Sequence, residues 1–228
     1  MNFPAIAKQT YEALKGQIAF SSISQFVMVH LKKIASPLER ARFVHNVVDD
    51  YNRAVFSHPI VQQLSPCKAG CSGCCHTQVS LTEDEAQLLA LRVNDGLKID
   101  YSALQIQMRA GNSSEEFYKL SYEERRCLFL STEDTCRAYN DRPSVCRTNA
   151  VLGEASQCST KEGVAENQEL RLVKTSQADM AIMGAFLTSK KSGTIAQMLG
   201  EIILKNAALA PAKKTKASKK SISIDNDL

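Results

Sequence analysis

Eight cysteines, Cys67, Cys71, Cys74, Cys75, Cys127, Cys136, Cys146 and Cys158, carry most of the chemistry available to this 228-residue sequence. The first group, Cys67-x3-Cys71-x2-Cys74-Cys75, puts sulfurs within a few residues of one another on a loop that also holds Gly70 and Gly73. Thiolates at that spacing can point at one centre, and each glycine precedes a ligand candidate where the backbone must curl and present N–H groups to sulfur. The second group, Cys127, Cys136, Cys146 and Cys158, follows about fifty residues later. No cysteine occurs in the first 66 or the last 70 residues. A chain of this length buries an adequate core without disulfide staples, so metal ligation accounts for the cysteines better than a disulfide framework does. Soft thiolates suit zinc and iron-sulfur clusters alike, and the residues do not choose between them. Eight exceeds the four that one zinc or one cubane cluster needs, leaving open one centre fed by both loops or two adjacent centres. The bland alternatives are a disulfide or a set of small buried hydrophobes for the first group, and buried free cysteines at Cys127, Cys136 and Cys146.

Some neighbouring side chains fit a supporting role. Pro143 would fix the turn that delivers Cys146, while Arg142 and Arg147 would offset the negative charge of a thiolate cluster and are taken as the cofactor-binding candidates. Tyr139 reads as packing beneath the loop. His76 is either an accessory ligand or an exposed loop histidine. His30, His45 and His58 have no companion at ligand spacing and are assigned nothing.

The ordered set Cys67-x3-Cys71-x2-Cys74-Cys75, then Cys127-Leu128-Phe129-Leu130, then Cys136-x2-Tyr139-x2-Arg142-Pro143-x2-Cys146-Arg147 resembles the CxxCxxCC-type zinc- or iron-chelating domain proteins, often called YkgJ-like. The resemblance covers roughly Cys67 to Cys158 and implies a metal centre. The same domain looks like the core of bacterial flagellin lysine N-methylases, which are linked to an iron-sulfur cluster. His76 departs from the basic residue common after the fourth cysteine in that family. No separate methyl-donor domain is visible in so short a chain. The C-x3-C-x2-C run also resembles radical S-adenosylmethionine enzymes, but Cys75 follows at once and the alternating strand and helix pattern of such a barrel is missing.

The elements that must position the cysteines read as helices, and the fold class expected is mainly α, with helices enclosing a cysteine-rich irregular segment. Residues from about Ala5 to Lys33 suggest two short helices broken around Gly16 and Ser21. Ser36 caps a helix with Pro37 in its first turn, and Val44, Val48, Tyr51 and Val55 recur along one face. Thr82-Glu83-Asp84-Glu85 is a capping box opening a helix that ends near Asn94 to Gly96. Short helices are expected over Asp100 to Arg109 and Ser113 to Leu120, and Ser121-Tyr122-Glu123-Glu124 offers another cap. A short strand is expected at Cys127 to Leu130, then a helix from Glu169 to about Leu187, a break at Ser192-Gly193 and a last helix from Thr194 to Ala210. The chain divides into an N-terminal helical segment (1–60), the cysteine-cluster domain (61–165), C-terminal helices packing on the core (166–210) and a disordered basic tail (211–228).

Composition narrows the classes of function. The net charge is +4, and five lysines of the tail between Lys213 and Lys220 supply much of it. The body therefore offers no nucleic-acid footprint. The run from Gly16 to Leu31 is too short and polar to span a bilayer, and the N-terminus lacks a basic segment leading into an apolar one. A cytoplasmic bacterial protein is the expectation. Its expected function is to hold zinc or an iron-sulfur cluster; the alternatives are an iron-sulfur-linked enzyme acting on a protein side chain and a zinc-stabilised interaction module with a protein partner.

Overall fold

The computed structural model describes residues 4–68, 70–161 and 171–209. The expected tail at 211–228 lies outside them. The fold is mainly α-helical. Helix α1 spans Ala5–Leu14 and α2 spans Ile18–Leu31, so the chain breaks at Gly16. It does not break at Ser21, which sits inside α2. Helix α3, Pro37–Phe56, starts where expected: the Ser36 hydroxyl accepts from the Glu39 N–H, and Pro37 occupies a first-turn position where its missing N–H leaves nothing unpaired. A short α4, Pro59–Leu64, leads into the first cysteine loop.

Beyond that loop a three-residue strand, β1 (Ser80–Thr82), runs directly into α5 (Glu83–Asn94) through the expected capping box. Helices α6 (Tyr101–Ala110) and α7 (Ser114–Lys119) follow, capped by Asp100 and Ser113. The second cysteine segment contains the single-turn helix α8 (Ser144–Arg147) and strand β2 (Val151–Leu152). Strand β3 (Arg171–Leu172) pairs antiparallel with β2. Helix α9 (Ser176–Thr188), strand β4 (Ser192–Thr194) and helix α10 (Ile195–Leu209) complete the described chain, with β4 antiparallel to β1.

Three local expectations are corrected. Cys127 to Leu130 is not a strand, because its backbone groups are committed elsewhere: Cys127 N–H donates to Cys75 C=O (2.8 Å), Leu128 C=O accepts from Asp100 N–H (3.0 Å) and Leu130 N–H turns back to Cys127 C=O (3.0 Å). Only an isolated bridge joins Leu130 to Cys136. Ser121 and Glu124 do make both bonds of a capping box, at 2.8 and 3.3 Å, yet only a turn follows. The helix expected from Glu169 begins at Ser176, where the Thr175 hydroxyl caps Ala178, and the break at Ser192-Gly193 is the strand β4.

Two apolar cores hold these elements. The first gathers Val27, Leu31, Val44, Val48, Met183 and Phe186 from α2, α3 and α9. The second gathers Leu81, Leu89, Leu104, Phe129 and Leu199 around α5, α6 and α10. Each such side chain, taken fully out of water, contributes roughly 1.5–3 kcal/mol. Helices α2 and α9 approach closely at Gly184, where a Cβ would lie 2.7 Å from Ser24 O and 2.9 Å from Val27 Cβ. Polar links then fix α3 against its neighbours: Arg40 clamps Asp84 of α5 through two bonds of 2.9 and 2.6 Å, and Asn52 Oδ1 accepts from the N–H and hydroxyl of Thr175 at the start of α9. No helix among the described residues is long and apolar enough to cross a membrane.

Candidate metal centre

The first loop folds by short-range turns. Gly70, with φ of 87°, takes a backbone conformation that L side chains rarely adopt, allowing the chain to reverse between Cys67 and Cys71. Residues Gly73–His76 form one tight 3-10 turn that carries Cys74 and Cys75. Gly73 is needed for a second reason. A Cβ there would stand 2.9 Å from Cys158 Cβ and 3.1 Å from Ala155 O, so its absence lets the turn that bears Cys158 close on the first loop. The Val151 N–H points at Cys67 Sγ, 3.4 Å away. The Cys127 N–H bond to Cys75 C=O joins the other end of the loop to the second segment.

The result is that all eight cysteines line one cavity of about 480 Å³. Within it they sort by neighbour. Cys67, Cys71 and Cys158 act electrostatically on one another, as do Cys127, Cys136 and Cys146. Cys75 belongs with the second group, since it feels the charges of Cys127 and Cys146 and bonds to the Cys127 backbone. Cys74 stands between, its charge felt by members of both groups.

Burial governs their protonation. It pushes Cys127 and Cys158 up to about 11, with neighbouring thiols adding to the rise, and lifts Cys146 well above the ordinary thiol range. Burial likewise raises Cys71 and Cys136. Cys74 moves the other way. The Cys75 thiol donates to it, and its own N–H, the Asn149 side chain and the Arg142 charge add to the lowering against the effect of burial. Cys75 rises in return, because it holds the shared proton. Thiols so placed give up their protons to a cation that takes their place. Among the described residues no three His, Cys, Asp or Glu side chains form a ready-made coordination sphere. The donor set, eight soft sulfurs around one space, nevertheless fits a thiophilic metal.

Arg142 and Arg147 part company. Arg142 lines the cysteine cavity, and its charge favours the thiolate at Cys74, Cys136 and Cys146. Its guanidinium lies 4.3 Å over the Tyr139 ring, which is half exposed rather than packed beneath the loop. Arg147 turns toward α3 instead. It donates to Asp49 Oδ2 (2.6 Å), to His45 Nδ1 (3.3 Å) and to the carbonyls of Arg142 and Asn140. It lines a second, polar cleft with Arg42, Asn46 and Asp49, which Arg142 and Tyr139 also border.

Sequence reasoning missed the buried group behind this arrangement. A guanidinium has no lone pair to offer, so His45 Nδ1 is the acceptor and His45 Nε2–H donates to Glu85 Oε1 (3.3 Å). The same Oε1 accepts from the Ser144 N–H and hydroxyl, both at 2.7 Å, while Oε2 accepts from the Thr82 N–H and hydroxyl at 3.0 and 3.1 Å. Burial alone pushes the Glu85 carboxyl up, but the bonds from His45, Thr82 and Ser144 outweigh it and hold the group at about 2. One carboxylate thus ties α3, α5 and α8, the helix that carries Cys146. The capping box gave a signal for Oε2; nothing in the sequence marked Oε1.

His76 is neither exposed nor aimed into the cavity lining. It is 5% exposed, stacks on Tyr122 with ring centroids 3.8 Å apart, and its Nδ1–H donates to the Tyr122 carbonyl (2.9 Å). Arg125, unremarked in the sequence, is buried, lines the cavity, lies over Tyr118 and Tyr122, and donates to Thr160.

Residues 66–174 match the model of the CxxCxxCC family, described as "Putative zinc- or iron-chelating domain". The matched segment contains all eight cysteines and Arg142. No curated protein matches the chain, and no solved structure does.

Proposed function

Starting from a chain whose residues 66–174 match the zinc- or iron-chelating CxxCxxCC family model, we propose that it holds metal at two adjacent four-cysteine centres. One would use Cys67, Cys71, Cys74 and Cys158, the other Cys75, Cys127, Cys136 and Cys146. The observation that carries this reading is the convergence of eight cysteines, drawn from two distant segments, on one cavity, where Cys74 bridges the neighbours of Cys71 and Cys158 and those of Cys127 and Cys146. Four thiolates are the complement of one zinc or one cubane cluster. Zinc there would cross-link the loops, and an iron-sulfur cluster would add electron transfer.

The chain's own groups support either occupant. Backbone N–H groups point at sulfur, as at Val151 and Cys67. Arg142 supplies positive charge to the second set and to Cys74. Glu85, through Ser144, holds α8 and with it Cys146.

Anaerobic purification without a metal-binding tag, followed by assay of zinc, iron and acid-labile sulfide per chain, tests the reading. Two tetrahedral metals or two clusters are expected. Cys71→Ser and Cys136→Ser should each remove about half of the metal and the double variant nearly all of it. Complete loss from either single variant would establish one shared centre, and the parent's content in both would remove these two cysteines from the ligand set.

A further inference from the structure

The cysteine cavity is larger than two zinc ions would fill. A metal bound by four sulfurs at about 2.3 Å fills a sphere of roughly 50 Å³, and two of them roughly 100 Å³, against the cavity's 480 Å³ or so. The total falls within the range of pockets that take small organic ligands, about 300–1,000 Å³. The remaining wall includes apolar side chains from both cores, Leu128, Phe129, Ile182, Met183, Phe186 and Ile195.

Polar side chains interrupt those apolar ones, and three have a buried atom without a hydrogen-bond partner among the described residues: Ser80, Arg125 and Arg142, the last of which already serves the thiolates. Ser80 is 2% exposed and Arg125 is 5% exposed; both residues line the cavity. Ser80 Oγ and Arg125 Nε are buried and have no hydrogen-bond partner among the described residues. Folded proteins rarely leave such groups unmatched, because the lost bond to water is not replaced. Arg125 is not free to swing away and find one. Its terminal nitrogens donate to Thr160 Oγ1 (3.1 Å) and Thr160 O (3.0 Å), and its guanidinium lies 5.3 Å from the centre of the Tyr118 ring.

We propose that the cavity binds, beside the metal, an uncharged and mainly apolar small molecule that carries a carbonyl or hydroxyl oxygen. The apolar body packs against the six side chains named above, and the oxygen accepts from both Ser80 Oγ–H and Arg125 Nε–H. The polarity of the handles sets the class. Arg125 Nε–H only donates, so an ammonium group, which has no lone pair, gains nothing there. A carboxylate would accept and be drawn by Arg125 and Arg142, but two four-thiolate zinc centres carry about −4 between them, which outweighs the two guanidinium charges and repels it. A neutral acceptor satisfies both conditions.

The test uses the full chain loaded with zinc, carbon-13 methyl-labelled at methionine, and titrated with 2-hexanone. Met183 lines the cavity, whereas Met28 on α2 does not, so the two methyls report the site and its control. Saturable shifts at Met183 with Met28 unmoved are expected, with hexanoate and hexylammonium at least tenfold weaker. Ser80→Ala should weaken 2-hexanone about threefold to tenfold. It removes an unpartnered hydroxyl, so its melting temperature should hold or rise. Three results would each overturn the proposal: zinc loading that abolishes 2-hexanone binding, charged analogues that bind as well, or Ser80→Ala binding like the parent. Zinc per chain, measured on the same sample, separates the two readings: two zincs without ketone binding removes only the organic ligand, and ketone binding without zinc removes only the metal centres.

Discussion

Replacing Glu85 with Gln puts the buried link between helix packing and the cysteine segment under the most direct strain. The carboxylate accepts five contacts in a 3% exposed position, three on Oε1 and two on Oε2. An amide has one acceptor oxygen, so its NH2 must face either the Thr82 N–H or the Ser144 N–H, and one buried backbone donor is orphaned. That orphan costs about 1–3 kcal/mol, and the surviving bonds lose their charge assistance. The pH dependence gives an independent magnitude. The group drops from an ordinary 4.5 to about 2 on folding, which corresponds to roughly 3 kcal/mol of stability from its ionised form. Because the folded value is depressed, that contribution is complete above the unfolded value. It falls to about half by pH 3 and is gone once pH passes below the folded value. Urea unfolding of reduced, metal-free parent and Glu85→Gln at pH 7, 4 and 3 should therefore show a gap of about 3 kcal/mol at pH 7 that narrows on acidification. The melting temperature at neutral pH should drop by roughly 6–12 °C. A gap under about 1 kcal/mol at pH 7, or one that stays constant down to pH 3, would refute the assignment of Glu85 as the ionised acceptor.

Two glycine positions give further tests. Gly184→Ala should destabilise by about 1–3 kcal/mol in urea despite alanine's better helix propensity, because its Cβ meets the α2 backbone at Ser24; a stabilised variant would show that the two helices have room to spare. Gly73→Ala pushes against Cys158 Cβ and Ala155 O, so it should lower metal per chain while leaving far-ultraviolet circular dichroism unchanged. Undiminished metal in that variant would place Cys158 outside the coordinating set.

The helices were legible because their signals are local. Ser36 with Pro37, the Thr82 to Glu85 box, and the periodic Val44 and Val48 each specify a start or a face within a few residues. The strands were not, since β1 and β4 span three residues each, too few for an alternation to register. Cys127 to Leu130 looked like a strand for its apolar content, but its hydrogen bonds go to Cys75 and Asp100, partners no local pattern announces. The cysteines announced a metal site by type and spacing alone. Their convergence on one cavity depends on where the second segment docks, and Glu85, Ser144 and Gly73 help to set that. Arg125 and Ser80 carried no sequence signal, because an unmatched polar atom is defined only by what surrounds it.

The walls of the cysteine cavity include Ile182 and Met183 from α9 and Ile195 and Ala196 from α10, all later in the chain than the last cysteine. During synthesis every thiol therefore leaves the ribosome before the surfaces that enclose it exist. About fifty residues separate Cys158 from the end of α10, an interval of roughly 3–10 s at ordinary elongation rates. For those seconds the sulfurs are open to metal, to oxidants and to one another, and the closing of α9 and α10 ends that window. Whichever ion reaches the loops first has a kinetic advantage over one that binds more tightly but arrives late.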